Sequence, residues 1–222
     1  MRTALILLFQ GDSETWGIIG RSLLFSLLAA GFSLIPGIPI GILLGWRKTW
    51  LRNMLISIVM ALSALPTVVI GLVVYSLISR TGPMGFLGIL YTPVAIVLGE
   101  FFLATPLVIS LVLAAFREID SRFVETIETL GISFWKKIWM AIIESHNALV
   151  AAAVMAFARV IGEVGVSMML GGNIRGLTRT MTTSIAFDTA KGEFERAVSL
   201  GIVLFFIAIL INIISTALAK RK

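Results

Sequence analysis

The chain has 222 residues, of which 58% are hydrophobic and 14% charged, and its mean hydropathy is +1.02. A soluble domain of this length could not hide that much apolar surface, so the composition excludes a soluble fold and places the chain in a bilayer. With no cysteine and one histidine, His146, disulfides and thiolate metal sites are excluded and most histidine chemistry is unavailable.

The formal charge of +6 reads as membrane topology, because no basic, aromatic-interleaved groove accompanies it, and no nucleic-acid partner is expected. Along the chain, Met1 to Gln10 carries an early Arg and a short apolar run, which Asp12, Ser13 and Glu14 interrupt. No small-residue cleavage site follows. The pattern predicts an external or interfacial segment over residues 1–16 and argues against a cleaved signal peptide.

Five stretches then read as transmembrane helices: Gly17–Trp46, Leu51–Ser79, Tyr91–Phe116, Ala148–Leu170 and Ala197–Ala219. The first is long enough to need tilt or a kink, and Pro36 and Pro39 supply a place for one. Gly37, Gly41 and Gly45 share one helical face, and packing within the chain is the preferred reading over a dimer motif. Pro66 and Pro106 are expected inside spans two and three. Ten of the eighteen basic residues fall between spans one and two, between spans three and four, and in the tail over residues 220–222. Positive-inside puts those regions in the cytoplasm, with the amino terminus outside the cell membrane and the carboxyl terminus inside.

Gly171 to Thr178 (GGNIRGLT) has two glycines at phosphate-loop spacing, but Leu177 stands where the phosphate-binding Lys should be. No nucleotide site, catalytic residue, metal or bound cofactor is expected in this chain, and any ATP must be hydrolysed by another protein. The connection over about residues 117–146 is too long for a simple turn. Glu125 and Glu128 lie one turn apart, Gly131 suits a left-handed terminator, and a second helix carries Lys136 and Lys137 back to the membrane. Either an amphipathic hairpin on the membrane surface or a docking element for a cytoplasmic partner fits this pattern.

The run Glu125-Thr126-Ile127-x-x-x-Gly131 resembles the E-A-A-x-x-x-G signature of permease subunits of binding-protein-dependent ABC importers, with Thr126 and Ile127 in place of the alanines. The resemblance implies an all-α membrane protein: the five-helix permease core over residues 17–219, with a cytoplasmic coupling helix. It also implies an ATPase subunit that holds ATP and Mg, an external oxyanion-binding protein and a second permease copy, most simply in a homodimer. Glu125, Thr126, Ile127, Glu128 and Gly131 would form the ATPase-coupling site. Ala156 to Ile174 (AFARVIGEVGVSMMLGGNI) is similar to molybdate and tungstate permeases, and Thr178 to Phe194 (TRTMTTSIAFDTAKGEF) looks more like the tungstate type.

An oxyanion suits the residues of the external connection over about 171–196. Hydroxyls and a few cations match a tetrahedral dianion, which offers acceptors only. Asn173, Arg175, Arg179, Thr182, Thr183 and Ser184 are the pathway candidates, with Thr178, Thr180 and Lys191 beside them. Each of them also fits a solvated loop. Inside the spans, Arg159 and Glu163 stand one helical turn apart, and Glu100 is the other possible partner for Arg159. A polar staple between helices is the simpler role for the three. Molybdate transport and a self-powered ion-coupled carrier are the alternatives to an ATP-driven tungstate importer in contact with membrane lipid.

Overall fold

The computed structural model describes residues 12–46 and 50–219, and every regular element among them is helical. Met1 to Gln10, Arg47, Lys48 and the basic tail over residues 220–222 lie outside the described residues, so the interfacial reading of the first ten residues is not addressed.

Helix α1 (Ser13–Trp46) has 34 residues and contains both Pro36 and Pro39. At 1.5 Å per residue it is about 51 Å long, against a hydrocarbon core of about 30 Å, so it crosses with a strong tilt or extends past the core. Its glycine face meets α4 (Pro93–Arg117). A Cβ built on Gly41 would sit 2.7 Å from the Val112 side chain, and Gly37 and Gly45 face Val108 and Phe116 in the same way. The three partners step by one helical turn, as the three glycines do. The stripe therefore serves packing within the chain, as its sequence suggested.

Span two corrects an expectation. Pro66 is not inside a continuous helix: α2 (Trp50–Ser63) and α3 (Thr67–Ile78) meet at a bend of 98°. Proline has no amide hydrogen to donate and pushes the preceding residue out of helical geometry, and the chain here resolves that conflict by starting a new helix at the proline. Pro66 is extended at φ −57°, ψ 133°, and caps α3. Pro106, by contrast, lies within unbroken α4. There the hydroxyls of Thr105 and Ser110 donate to the carbonyls of Phe101 and Pro106 at 2.7 and 3.0 Å. Such side-chain bonds support a helix backbone that a proline disturbs.

The connection over residues 117–146 holds a helical hairpin, α5 (Ser121–Thr129) and α6 (Phe134–Glu144). At Ser145 the chain bends by 80° into α7 (His146–Ile161). Span four also departs from expectation: α7 stops at Ile161, and a short α8 (Gly165–Gly171) follows three residues later. Helix α9 (Met181–Lys191) fills part of the connection expected as a loop, and α10 (Phe194–Ala219) ends the described chain. Among the described residues three helices are each long and apolar enough to cross a membrane, and up to five spans result when each bent pair counts as one. Helix α4 is the centre of this arrangement: α1, α2, α3, α7 and α8 all pack on it, and Ala95, Ile96, Ala104 and Val108 have no exposed surface.

Candidate functional site

The polar residues gather at three levels of the fold. At the α5 end, Asp120 caps the helix by accepting from the Arg122 amide at 2.9 Å. Ile127 is buried and anchors α5 to the body, while Glu125, Thr126, Glu128 and Gly131 are exposed. Gly131 has φ +59°, and a Cβ there would meet nothing within 4 Å. It is needed for its backbone conformation, not for space. The Trp46 indole at the end of α1 donates to Glu128 Oε1 at 2.8 Å. Its ring lies 5.3 Å from that of Phe116 in α4, and Lys137 of α6 sits 5.9 Å above it. The ends of α1 and α4 and both hairpin helices thus meet around one tryptophan. Nothing in the local sequence pattern marks Trp46, since its partners lie about 70 to 90 positions downstream and share no periodicity with it.

The second level is the break between α7 and α8, which holds Glu163. Its Oε2 pairs with Arg159 Nη1 at 3.3 Å, and its Oε1 accepts from the Val166 amide at 3.2 Å. Its carbonyl accepts from the Thr182 hydroxyl at 2.6 Å. Glu163 therefore ties α7, α8 and the start of α9 together at a place where backbone groups lack helical partners. Arg159 takes Glu163, whereas Glu100, 2% exposed in α4, accepts from the Ser167 hydroxyl of α8 at 3.0 Å. Glu163→Ala should cost about 2–3 kcal/mol of stability, mostly for the buried Val166 amide left unbonded, with the half-exposed ion pair adding little. Glu163→Gln keeps that acceptor and should lose less than half as much. Thermal unfolding of the two variants in detergent measures the difference, and equal losses would rule out the capping role.

At the third level Glu14 of α1 draws in three arginines. Arg175 bonds its Oε2, Arg179 Nη1 lies 3.6 Å from Oε1, and Arg196 Nη2 lies 3.8 Å from Oε2. Arg21, two turns further along α1, donates to the carbonyls of Arg179 and Gly176 at 3.2 and 3.4 Å. Beside them, the Thr15 hydroxyl bonds Asp12 and holds its carboxyl below the ordinary value. Glu14, Arg21 and Arg196 were absent from the candidates read in sequence. An arginine within an apolar helix, Arg21, was the available signal, because such a charge needs a named partner.

Of the expected pathway residues, Arg175 alone has a largely open side chain, 73% exposed. Arg179 is packed over Phe187, whose ring also carries Lys191. Asn173 takes a left-handed backbone at φ 51° and is buried. Thr182, Thr183 and Ser184 are also buried, and their hydroxyls bond within the chain. Thr182 donates to Glu163, Thr180 and Thr183 form a reciprocal cap on α9, and Ser184 donates to Asp188 at 2.8 Å. Thr178 closes the preceding turn by donating to the Gly171 carbonyl at 2.6 Å. The hydroxyl-rich run builds the start of α9.

Comparison with known proteins agrees with this architecture. Residues 37–222 match the family described as binding-protein-dependent transport system inner membrane component. The chain is 37% identical over 219 residues to the tungstate uptake system permease protein TupB of Campylobacter jejuni, covering 99% of this chain and 92% of that one. It is 35% identical to TupB of Peptoclostridium acidaminophilum, with 99% and 96% covered. The molybdenum transport system permease protein ModB of Azotobacter vinelandii is 29% identical, with 82% and 85% covered. Among solved structures, a chain of the inward-facing MetNI methionine ABC transporter superposes with a TM-score of 0.73 at 16% identity, covering 96% of each chain, which shows a common fold. With the family match spanning most of its length and the relatives nearly all of it, this chain is a multi-pass membrane protein belonging to the inner membrane components of binding-protein-dependent transport systems.

Proposed function

We propose that this chain is the membrane subunit of an ATP-driven importer that takes a tetrahedral oxyanion, tungstate ahead of molybdate, from an external binding protein into the cytoplasm. The observation that carries the substrate is the 37% and 35% identity to two tungstate permeases over 99% of the chain, against 29% over 82% for a molybdenum permease. The chain itself does no bond chemistry. ATP and Mg belong to a partner ATPase, and the exposed face of α5 is where that ATPase docks, through Glu125, Thr126, Glu128 and Gly131. Ile127 and the Trp46 cluster pass the motion of α5 to the ends of α1 and α4. Packed helices with two discrete arrangements transmit such a displacement as a rigid shift. ATP binding stabilises one arrangement of a permease pair and hydrolysis restores the other, so this subunit contributes differential stability.

A second permease copy completes the transporter, most simply an identical one, because one ATPase dimer requires two docking helices. The amino terminus faces outward and the carboxyl terminus inward. The cysteine-free sequence makes that orientation simple to test. In right-side-out vesicles, Met84→Cys should react with an impermeant maleimide and Ser133→Cys should not; the opposite pattern inverts the topology. Function is tested by ATPase activity of the reconstituted complex with binding protein loaded with tungstate, molybdate or sulfate. Tungstate should stimulate most. A complex that no loaded form stimulates, while the permease alone moves the anion down a gradient, would make the self-powered carrier the better description.

A further inference from the structure

The loop between α3 and α4 encloses a cavity of about 480 Å³ whose lining includes Tyr75, Ser79, Arg80, Thr81 and Tyr91. It differs in kind from the apolar cavity between α2, α3 and α4, which Val, Leu, Ile and Phe line almost entirely. Here one arginine and four hydroxyl-bearing residues line the same cavity, and no carboxylate is among the lining residues. Arg80 has no ion-pair partner among the described residues, whereas Arg175, Arg179 and Arg196 all share Glu14. The two external cationic regions are therefore unlike. In one, three guanidiniums are tied to a single shared carboxylate; in the other, a lone guanidinium has no carboxylate among its neighbours in the lining.

The cavity is held in shape by its backbone. The Met84 amide donates to the Leu77 carbonyl at 2.9 Å and the Ser79 amide to the Tyr75 carbonyl at 2.8 Å, which satisfies two acceptors at the end of α3. Gly85 packs so close that an added Cβ would lie 2.8 Å from the Arg80 carbonyl. On the opposite wall, Tyr91 sits at φ +62°, a left-handed conformation that costs a non-glycine residue about 1–2 kcal/mol. Two contacts enforce it. Its amide donates to the Leu170 carbonyl at 2.9 Å, and its ring lies against Gly172, where a Cβ would come within 2.9 Å of the ring. The result sets the Tyr91 hydroxyl beside that of Tyr75. Strained residues held by their surroundings concentrate at ligand sites.

The geometry points to an oxyanion subsite of the permease itself, in which Arg80, Ser79, Thr81, Tyr75 and Tyr91 receive the tetrahedral dianion on the outer side of the membrane. A dianion accepts hydrogen bonds and offers none, and this set supplies donors with a single positive charge. One cation attracts the anion, and neutral hydroxyls orient it without the trapping that several arginines would cause. The subsite rests on the proposed oxyanion import and adds to it a place where the permease contacts its cargo after release from the binding protein.

Isothermal titration of tungstate into the purified permease–ATPase complex, without binding protein, tests the subsite. Each titration is run with no nucleotide and with a non-hydrolysable ATP analogue. We expect saturable binding in at least one state, weakened about tenfold or more by Arg80→Ala, largely recovered in Arg80→Lys, and weakened severalfold by Tyr91→Phe. Absence of saturable binding in both states, or equal binding by wild type and Arg80→Ala, overturns the subsite. Stimulation of the same wild-type complex by tungstate-loaded binding protein separates the two proposals. If stimulation persists without direct binding, the importer stands and the subsite falls; if stimulation is absent, the importer itself fails.

Discussion

Gly131→Asp is expected to abolish association with the ATPase subunit and reduce uptake to background, while the permease remains folded in the membrane. The separation of the two effects follows from the site. Gly131 is exposed at the end of α5, and an added Cβ would have nothing within 4 Å, so the substitution meets no steric barrier. The backbone there is left-handed at φ +59°, and Asp is among the residues that tolerate that region best, so the fold should lose only about 1 kcal/mol. Docking is different. A carboxylate at the exposed exit of α5 adds bulk and negative charge to a surface that must fit a partner closely. Central interface positions cost about 2–4 kcal/mol when disrupted, which weakens association roughly 30- to 1000-fold. Gly131→Ala separates the backbone requirement from the added charge and should fall between the two. Co-purification of the ATPase and uptake in reconstituted vesicles are the measurements. Unchanged association and uptake in Gly131→Asp would remove α5 from the docking role.

The elements that could be read from sequence were those whose signal is local. Apolar length revealed the membrane class and approximate spans, and the Glu125–Gly131 spacing located a helix and its left-handed exit, both present in α5. Two prolines of equal appearance had different outcomes: Pro106 stays within α4 and Pro66 divides α2 from α3. What separates them is tertiary. Pro106 is buried among helices packed on α4, and Pro66 is exposed. The break at Glu163 was hidden for a related reason. Arg159 and Glu163 have helical spacing, and their pairing survives, but Glu163 spends its second oxygen on the backbone of the next helix. The threonine-rich run was legible as a polar feature and not as a cap, because its partners Glu163 and Gly171 belong to the preceding helix break and to α8.

Gly41→Ala is expected to destabilise the chain by about 2–3 kcal/mol, whereas Gly31→Ala on the same helix should be neutral or stabilise it by about 0.5–1 kcal/mol. Both glycines lie in α1, so helix propensity alone favours alanine at each. Their surroundings decide the sign. A Cβ on Gly31 meets nothing within 4 Å, and one on Gly41 lies 2.7 Å from Val112 Cβ and 3.0 Å from the Ile109 carbonyl. Neither neighbour can turn aside, since one is the first atom of a side chain and the other is backbone. The helices must separate, and the tight packing of α1 on α4 is lost with them. Gly37 provides an internal control. Its nearest obstruction is Val108 Cγ1 at 2.5 Å, and the next is Val108 Cβ at 3.0 Å. Removing the γ-carbons with Val108→Ala should therefore rescue much of the loss from Gly37→Ala, while Val112→Ala should rescue little of the loss from Gly41→Ala. Thermal unfolding of the singles and doubles in detergent gives both coupling energies. If Gly41→Ala proves as stable as Gly31→Ala, the glycine face does not bear on α4, and a contact between two copies of the chain becomes the better account of its spacing.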